Sequence, residues 1–143
     1  MKNIRSPICV VVGHIDHGKS SILDRVRNTN IVSTEAGGIT QAISFSNVSI
    51  KTIKSLCGNL LETLKLNLEI PGIVFLDTPG HAAFNNLRKR GGNLADIAVL
   101  VIDINESIKE QTVESINILK QYKTPFIIAA NKIDLIQGWQ KKR

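Results

Sequence analysis

Four stretches of this chain are short, apolar and almost uninterrupted: Ile8–Val12, Ile73–Leu76, Ile97–Ile104 and Phe126–Ala130. Each is rich in Ile or Val or small apolar residues and does not alternate with polar ones, which predicts strands buried on both faces of a parallel sheet. The segments between them follow a helical period. Ser20–Arg27 places Ile22, Leu23 and Val26 on one face, Ala82–Arg90 follows a Pro-Gly turn, and Glu110–Tyr122 turns Val113, Ile116 and Leu119 inward, with Ile118 a further candidate. Strands alternating with helices predict right-handed crossovers and an α/β fold around a mainly parallel sheet. The segment Ser49–Leu64 interrupts this rhythm. Ser49 can cap a short helix carrying Ile50, Ile53 and Leu56, ended by Gly58, and Asn59 can cap a second with Leu60 and Leu64 one turn apart. This predicts a small helical insertion before the strand at Ile73.

Composition narrows the class without deciding the chemistry. At 143 residues, 43% hydrophobic and 21% charged, the chain has the make-up of one soluble globular domain with a real core. Its net charge of +6 makes a polyanion, nucleic acid foremost, a plausible partner class. Cys9 and Cys57 form no metal-like pair and are expected to be reduced thiols. The first residues lack the apolar stretch of a secretory signal, and no apolar run approaches the ~20 residues needed to cross a bilayer. A cytoplasmic location with no membrane partner is therefore expected.

Chemistry enters at Gly13-His14-Ile15-Asp16-His17-Gly18-Lys19-Ser20, a complete G-x-x-x-x-G-K-[ST] pattern set between an apolar strand and a helix. Such a loop turns backbone amides inward around phosphate oxygens, and the helix N-terminus adds partial positive charge. Lys19 would reach the β- and γ-phosphates and the Ser20 hydroxyl would bind magnesium. Gly13, His17, Gly18 and Ser21 complete the candidate contacts of this loop. Asp77-Thr78-Pro79-Gly80 ends the second apolar strand, where Asp77 suits magnesium, directly or through water, and the Gly80 amide suits the γ-phosphate. Thr40, in the glycine-rich stretch between the first helix and the next strand, is the candidate for a further magnesium oxygen; Ser33 and Thr34 are rivals. His81 is placed to orient an attacking water. In Asn131-Lys132-Ile133-Asp134, the Asp134 carboxylate can accept from both N1–H and the 2-amino group of guanine; adenine would leave it unpaired. GTP or GDP is thus the expected nucleotide. Transition-metal binding by His14, His17 and His81 is not expected. Arg88-Lys89-Arg90 is either a solvated helix face or a contact for RNA phosphates.

Together these motifs resemble the translational GTPases, whose pattern includes Gly-His-Ile-Asp-His-Gly-Lys and Asp-Thr-Pro-Gly-His. Ala36-Gly37-Gly38-Ile39-Thr40-Gln41 is similar to the initiation factor two and five-B family. Leu87-Arg88-Lys89-Arg90-Gly91-Gly92, Ala95-Asp96-Ile97-Ala98, the insertion at Ser49–Leu64, and the stretch from Asn131 to Trp139 resemble its archaeal and eukaryotic branch. The resemblance implies the three-layer P-loop NTPase fold and a GTPase that promotes ribosomal subunit joining and places initiator methionyl-tRNA on the ribosome. It implies phosphate, magnesium and water handling by Lys19, Ser20, Thr40, Asp77, Gly80 and His81, and guanine binding by Asn131, Lys132 and Asp134. Asp16 would balance phosphate or monovalent-cation charge, and hydrolysis would be slow until the ribosome drives His81 into place. Three positions depart from the family: Ser20 replaces a more usual threonine, and Ala42 and Ala82 stand where histidine and glutamate are usual. Against that family the chain is expected to be an incomplete G domain, 1–143, short of the final strand and helix and of the tRNA-binding domains. The strand at Phe126–Ala130 would then be an edge with exposed apolar surface, and GTP affinity would be weakened. An elongation-type GTPase and a nucleotide-binding module without turnover are the rival readings.

Overall fold

The structure, a computed structural model, describes residues 3–29, 44–77 and 95–141. Five strands form one sheet: β1 (Ile8–Gly13), β2 (Ser44–Ser49), β3 (Gly72–Asp77), β4 (Ile97–Asp103) and β5 (Phe126–Asn131), in the order β2-β3-β1-β4-β5. The β3–β1, β1–β4 and β4–β5 pairs are parallel and β2 runs antiparallel to β3. The expected α/β class with a mainly parallel sheet is the one observed.

The uninterrupted apolar runs have a direct cause in this arrangement. Successive side chains of a strand point to opposite faces, and both faces of the central strands are covered. Val10 and Val12 of β1 and Leu100 of β4 join Leu76, Ala95 and Ala98 in one core, closed by Ile118 and Leu119 of helix α4 (Glu110–Gln121). Val11 and Val101, the alternate residues, face a second core with Leu23 of helix α1 (Lys19–Thr29), flanked by Ile22, Phe75, Val99 and Ala129. A strand with only one face buried could not hold five consecutive apolar residues so economically.

Three expectations need correction or completion. The strand that follows α1 is β2, which none of the four apolar runs covers. Its sequence, Ser-Phe-Ser-Asn-Val-Ser, buries only Val48 and leaves Phe45 63% exposed, as an edge strand permits. In α4 the buried stripe runs through Thr112, Ile118 and Leu119, with Ile116 half-buried, while Val113 is 47% exposed. Thr112, Ile116 and Leu119 lie at i, i+4 and i+7, so Val113 falls at the margin of the face they define. In the insertion, α2 (Ile50–Cys57) starts and stops as expected: Ser49 Oγ accepts from the Thr52 amide at 3.3 Å, and Gly58, at φ 52°, donates back to Lys54. Helix α3 (Leu60–Thr63) does form, but the Asn59 side chain makes no cap hydrogen bond. Asn59 already has helical torsions (φ −76°, ψ −3°), whereas a capping side chain needs an extended backbone to reach the second or third amide.

Among the described residues β5 lies at the edge of the sheet, with Ile127 and Ile128 exposed. The helix expected at Ala82–Arg90 lies outside the described residues. No helix among the described residues is long and apolar enough to cross a membrane.

The two-core arrangement predicts sharply unequal costs for two truncations. Leu100→Ala, in the first core, should lower the unfolding free energy by about 2–5 kcal/mol, and Val113→Ala by no more than about 0.5 kcal/mol. Urea unfolding followed by circular dichroism measures both; similar losses would contradict the assigned helix face.

Candidate functional site

Four parallel strands necessarily end on the same side of the sheet, and their last residues are Gly13, Asp77, Asp103 and Asn131. In open α/β sheets this carboxyl edge is where ligands bind. Here the strand register sets Gly13 beside Val101 and Asp103 beside Asn131. Every candidate segment of the sequence reading that the structure describes arrives at this edge.

The loop from Gly13 to Gly18 contains a 3₁₀ turn, Ile15–His17, whose start is fixed by His14: its Nδ1 accepts from the Asp16 amide at 3.3 Å, and its carbonyl accepts from the His17 amide at 3.1 Å. The two glycines are required by geometry. Gly13 has φ 148° and a Cβ there would press on the Val101 carbonyl; Gly18 has φ 92° and a Cβ would collide with the Asn131 side chain. Only glycine takes these torsions without strain and leaves room for the backbone to approach. Helix α1 then begins at Lys19, so its N-terminus, with its partial positive charge, lies at the site, and Ser20 and Ser21 are exposed at this end.

Lys19 is nearly buried, with Nζ 3.7 Å from Asp77 Oδ1. That carboxylate oxygen is buried and has no hydrogen-bond partner among the described residues. A buried, underbonded carboxylate oxygen is costly unless it meets a cation. Asp77 and the Ser20 hydroxyl are hard oxygen donors, the kind that magnesium takes, so the donor set fits that ion. Thr40, Gly80 and His81 lie outside the described residues.

The segment after β5 reaches across to this loop. Asn131 Nδ2 donates to the His17 carbonyl at 2.9 Å, and Lys132 Nζ donates to the Asp16 carbonyl at 2.6 Å. Lys132 stands in the left-handed region (φ 61°, ψ 34°), an uncommon conformation for a residue with a long side chain. It is followed by the 3₁₀ turn Ile133–Leu135, which carries Asp134 exposed in its first turn. Gly13, Asp16, His17, Gly18, Lys19, Asp77, Asn131 and Lys132 are therefore assembled at one edge, with Ser20, Ser21 and Asp134 at its exposed margin.

Sequence reasoning missed a third contributor, the end of β4 and the turn after it. Asp103 Oδ2 lies 2.8 Å from Lys132 Nζ, and its other oxygen accepts from the Asn105 amide at 2.9 Å. Asn105 Nδ2 also donates to the Lys132 carbonyl at 2.9 Å. The Lys132 hydrogen bond, aided by the Asn105 amide, draws the Asp103 carboxyl down to about 2, and the same bond raises Lys132. Glu106 Oε2 sits 3.3 Å from Nε2 of the fully buried His17 and 3.4 Å from Lys109; the His17 contact is the main cause of its lowered pKa. The available signal was a carboxylate interrupting an apolar strand end, as Asp77 does at β3.

Comparison with known proteins agrees with this geometry. The model of the Elongation factor Tu GTP binding domain matches residues 4–143. The "Probable translation initiation factor IF-2" of Thermococcus sibiricus is 58% identical over 140 residues, spanning 98% of this chain and 24% of that protein. Its namesake in Methanococcus maripaludis is 61% identical over 136 residues, 95% of this chain and 23% of that one. Among solved structures, GDP-bound aIF5B from Aeropyrum pernix superposes with a TM-score of 0.81 at 50% identity, covering 98% of this chain and 23% of that one. Elongation factor SelB of Methanococcus maripaludis, in complex with the GTP analogue GppNHp, gives 0.60 at 26% identity, with 94% and 24% covered. The chain spans about a quarter of the length of the curated relatives it matches.

The depressed Asp103 carboxyl makes part of the fold's stability acid-sensitive. Its ordinary value is 3.8 and its folded value about 2, so the contribution is complete above 3.8 and is lost as pH falls towards 2. In urea unfolding, the stability gap between the native chain and Asp103→Asn should therefore shrink between about pH 5 and pH 2. A gap that stays constant would contradict the Asp103–Lys132 link.

Proposed function

The chain belongs to the Elongation factor Tu GTP-binding-domain family, and on that premise we propose that it is the GTP-binding and GTP-hydrolysing part of a cytoplasmic translation initiation factor. In this reading the factor promotes ribosomal subunit joining and the placement of initiator methionyl-tRNA, which other domains of the factor contact. The observation that carries it is the pair of hydrogen bonds from Asn131 and Lys132 to the carbonyls of His17 and Asp16. They join the base-reading segment and the phosphate loop into one unit. The higher identity to aIF5B than to the elongation factor SelB favours initiation over elongation.

Each residue then has a definite task. The amides between Gly13 and Ser20, with the N-terminus of α1, cradle the phosphates, and Lys19 neutralises charge on the β- and γ-oxygens. Ser20, Thr40 and Asp77 would hold magnesium, which would supply further charge neutralisation at the phosphates. Asp16 balances the charge of a monovalent cation, and the Gly80 amide approaches the γ-phosphate. Asp134 accepts from N1–H and the 2-amino group of guanine, while Asn131 and Lys132 hold the floor beneath the base. His81 orients the water that attacks the γ-phosphate in line. Phosphoryl transfer to water demands mainly positioning and charge stabilisation, so the ribosome need supply only the alignment of His81. Arg88, Lys89 and Arg90 offer cations for rRNA phosphates.

Multiple-turnover GTP hydrolysis with and without ribosomes tests this reading. Ribosomes should stimulate turnover, and His81→Ala should reduce the stimulated rate by at least about 100-fold while leaving GTP binding largely intact. No stimulation by ribosomes would refute a ribosome-dependent GTPase, and unchanged turnover in His81→Ala would refute the task given to His81.

A further inference from the structure

We propose that Asp103, the last residue of β4, and Asn105, in the turn after it, are positioning residues that hold the guanine-reading segment in register with the phosphate loop. The proposal rests on the guanine-nucleotide reading above and adds to it two residues outside both the phosphate loop and the Asn131–Asp134 segment. Lys132 is gripped at both ends by this turn. Its ammonium is 2.8 Å from Asp103 Oδ2, and its carbonyl accepts from Asn105 Nδ2 at 2.9 Å. Asn105 in turn fixes Asp103, giving its amide at 2.9 Å and its side-chain nitrogen at 3.1 Å to the one oxygen that Lys132 does not use. Both carboxylate oxygens are thereby engaged, and Asp103 is only 3% exposed, so its rotamer has no alternative partner in solvent.

The grip has a mechanical purpose. Lys132 must hold a left-handed backbone and simultaneously deliver its ammonium to the Asp16 carbonyl, 2.6 Å away. A lysine has four rotatable side-chain bonds and prefers full hydration, so an unopposed ammonium would swing to water. A fixed, nearly buried carboxylate removes that choice by charge and direction at once. The same turn sends Glu106 to the buried His17, whose carbonyl receives Asn131. One short turn thus braces both the reader and the loop that it reads against. Coupling the two sites requires such a third body, because the reader alone is joined to the loop through flexible side chains.

The test is a double-mutant cycle on GDP affinity, measured with a fluorescent GDP analogue and magnesium, comparing the native chain, Asp103→Asn, Lys132→Met and the double variant. Asp103→Asn keeps the size of the side chain and removes its charge. It should weaken GDP binding by roughly ten- to a hundredfold in the native background, and by less than about twofold in Lys132→Met. GDP binding equal to that of the native chain, or an equal loss in both backgrounds, would overturn the proposal, the latter showing only a general structural effect. If Asp103→Asn does not fold, Asn105→Ala replaces it; several-fold weaker GDP binding is expected, and native-like binding would overturn the proposal. Failure of the native chain itself to bind GDP would instead sink the underlying guanine-nucleotide reading.

Discussion

Two hydrogen bonds organise this molecule: Asn131 to the His17 carbonyl and Lys132 to the Asp16 carbonyl, joining residues 114 and 116 positions apart in sequence. A phosphate loop by itself accepts any nucleoside triphosphate, because backbone amides read charge and not the base. A carboxylate at the end of another strand reads a base only if its distance from the phosphates is fixed. These contacts fix that distance, and the rest of the fold can be understood as what they require.

They require that β1 and β5 end at the same edge, which a parallel sheet provides and an antiparallel hairpin between them would not. They require close backbone approach, so Gly18 carries no Cβ where the Asn131 amide group packs. They require an oriented ammonium, supplied by the nearly buried Asp103. Burial of both sheet faces gives this edge its rigidity: Val10 and Val12 lock β1 to the α4 side, and Val11 locks it to the α1 side. Interior packing of that density resists the small shifts that would separate the two halves of the site.

The parts legible in the sequence were those encoded locally. The G-x-x-x-x-G-K-[ST] loop, the strand-end Asp77 and the Asn-Lys-x-Asp segment each declare themselves within a few residues, as do the parallel strands with their unbroken apolar runs. The parts that escaped depend on distant partners. β2 has no apolar run because only Val48 is buried there, and its membership of the sheet comes from its pairing with β3. The inward face of α4 is set by where the helix lies on the sheet, which brings the polar Thr112 in and leaves Val113 out. Asp103 and Asn105 look like an ordinary strand-end turn until Lys132, 27 residues beyond Asn105, is placed against them. Spacing along the chain reveals a motif's own atoms, and only the fold reveals what holds them.

The central claim is that the joined edge selects a guanine nucleotide. Calorimetric titration of the chain with GDP and with ADP, both with magnesium, measures it most directly. The account predicts one GDP bound per chain and ADP binding weaker by at least about 1,000-fold, because ADP would leave the Asp134 carboxylate without its donors. Equal affinity for the two nucleotides, or binding of neither, would contradict it.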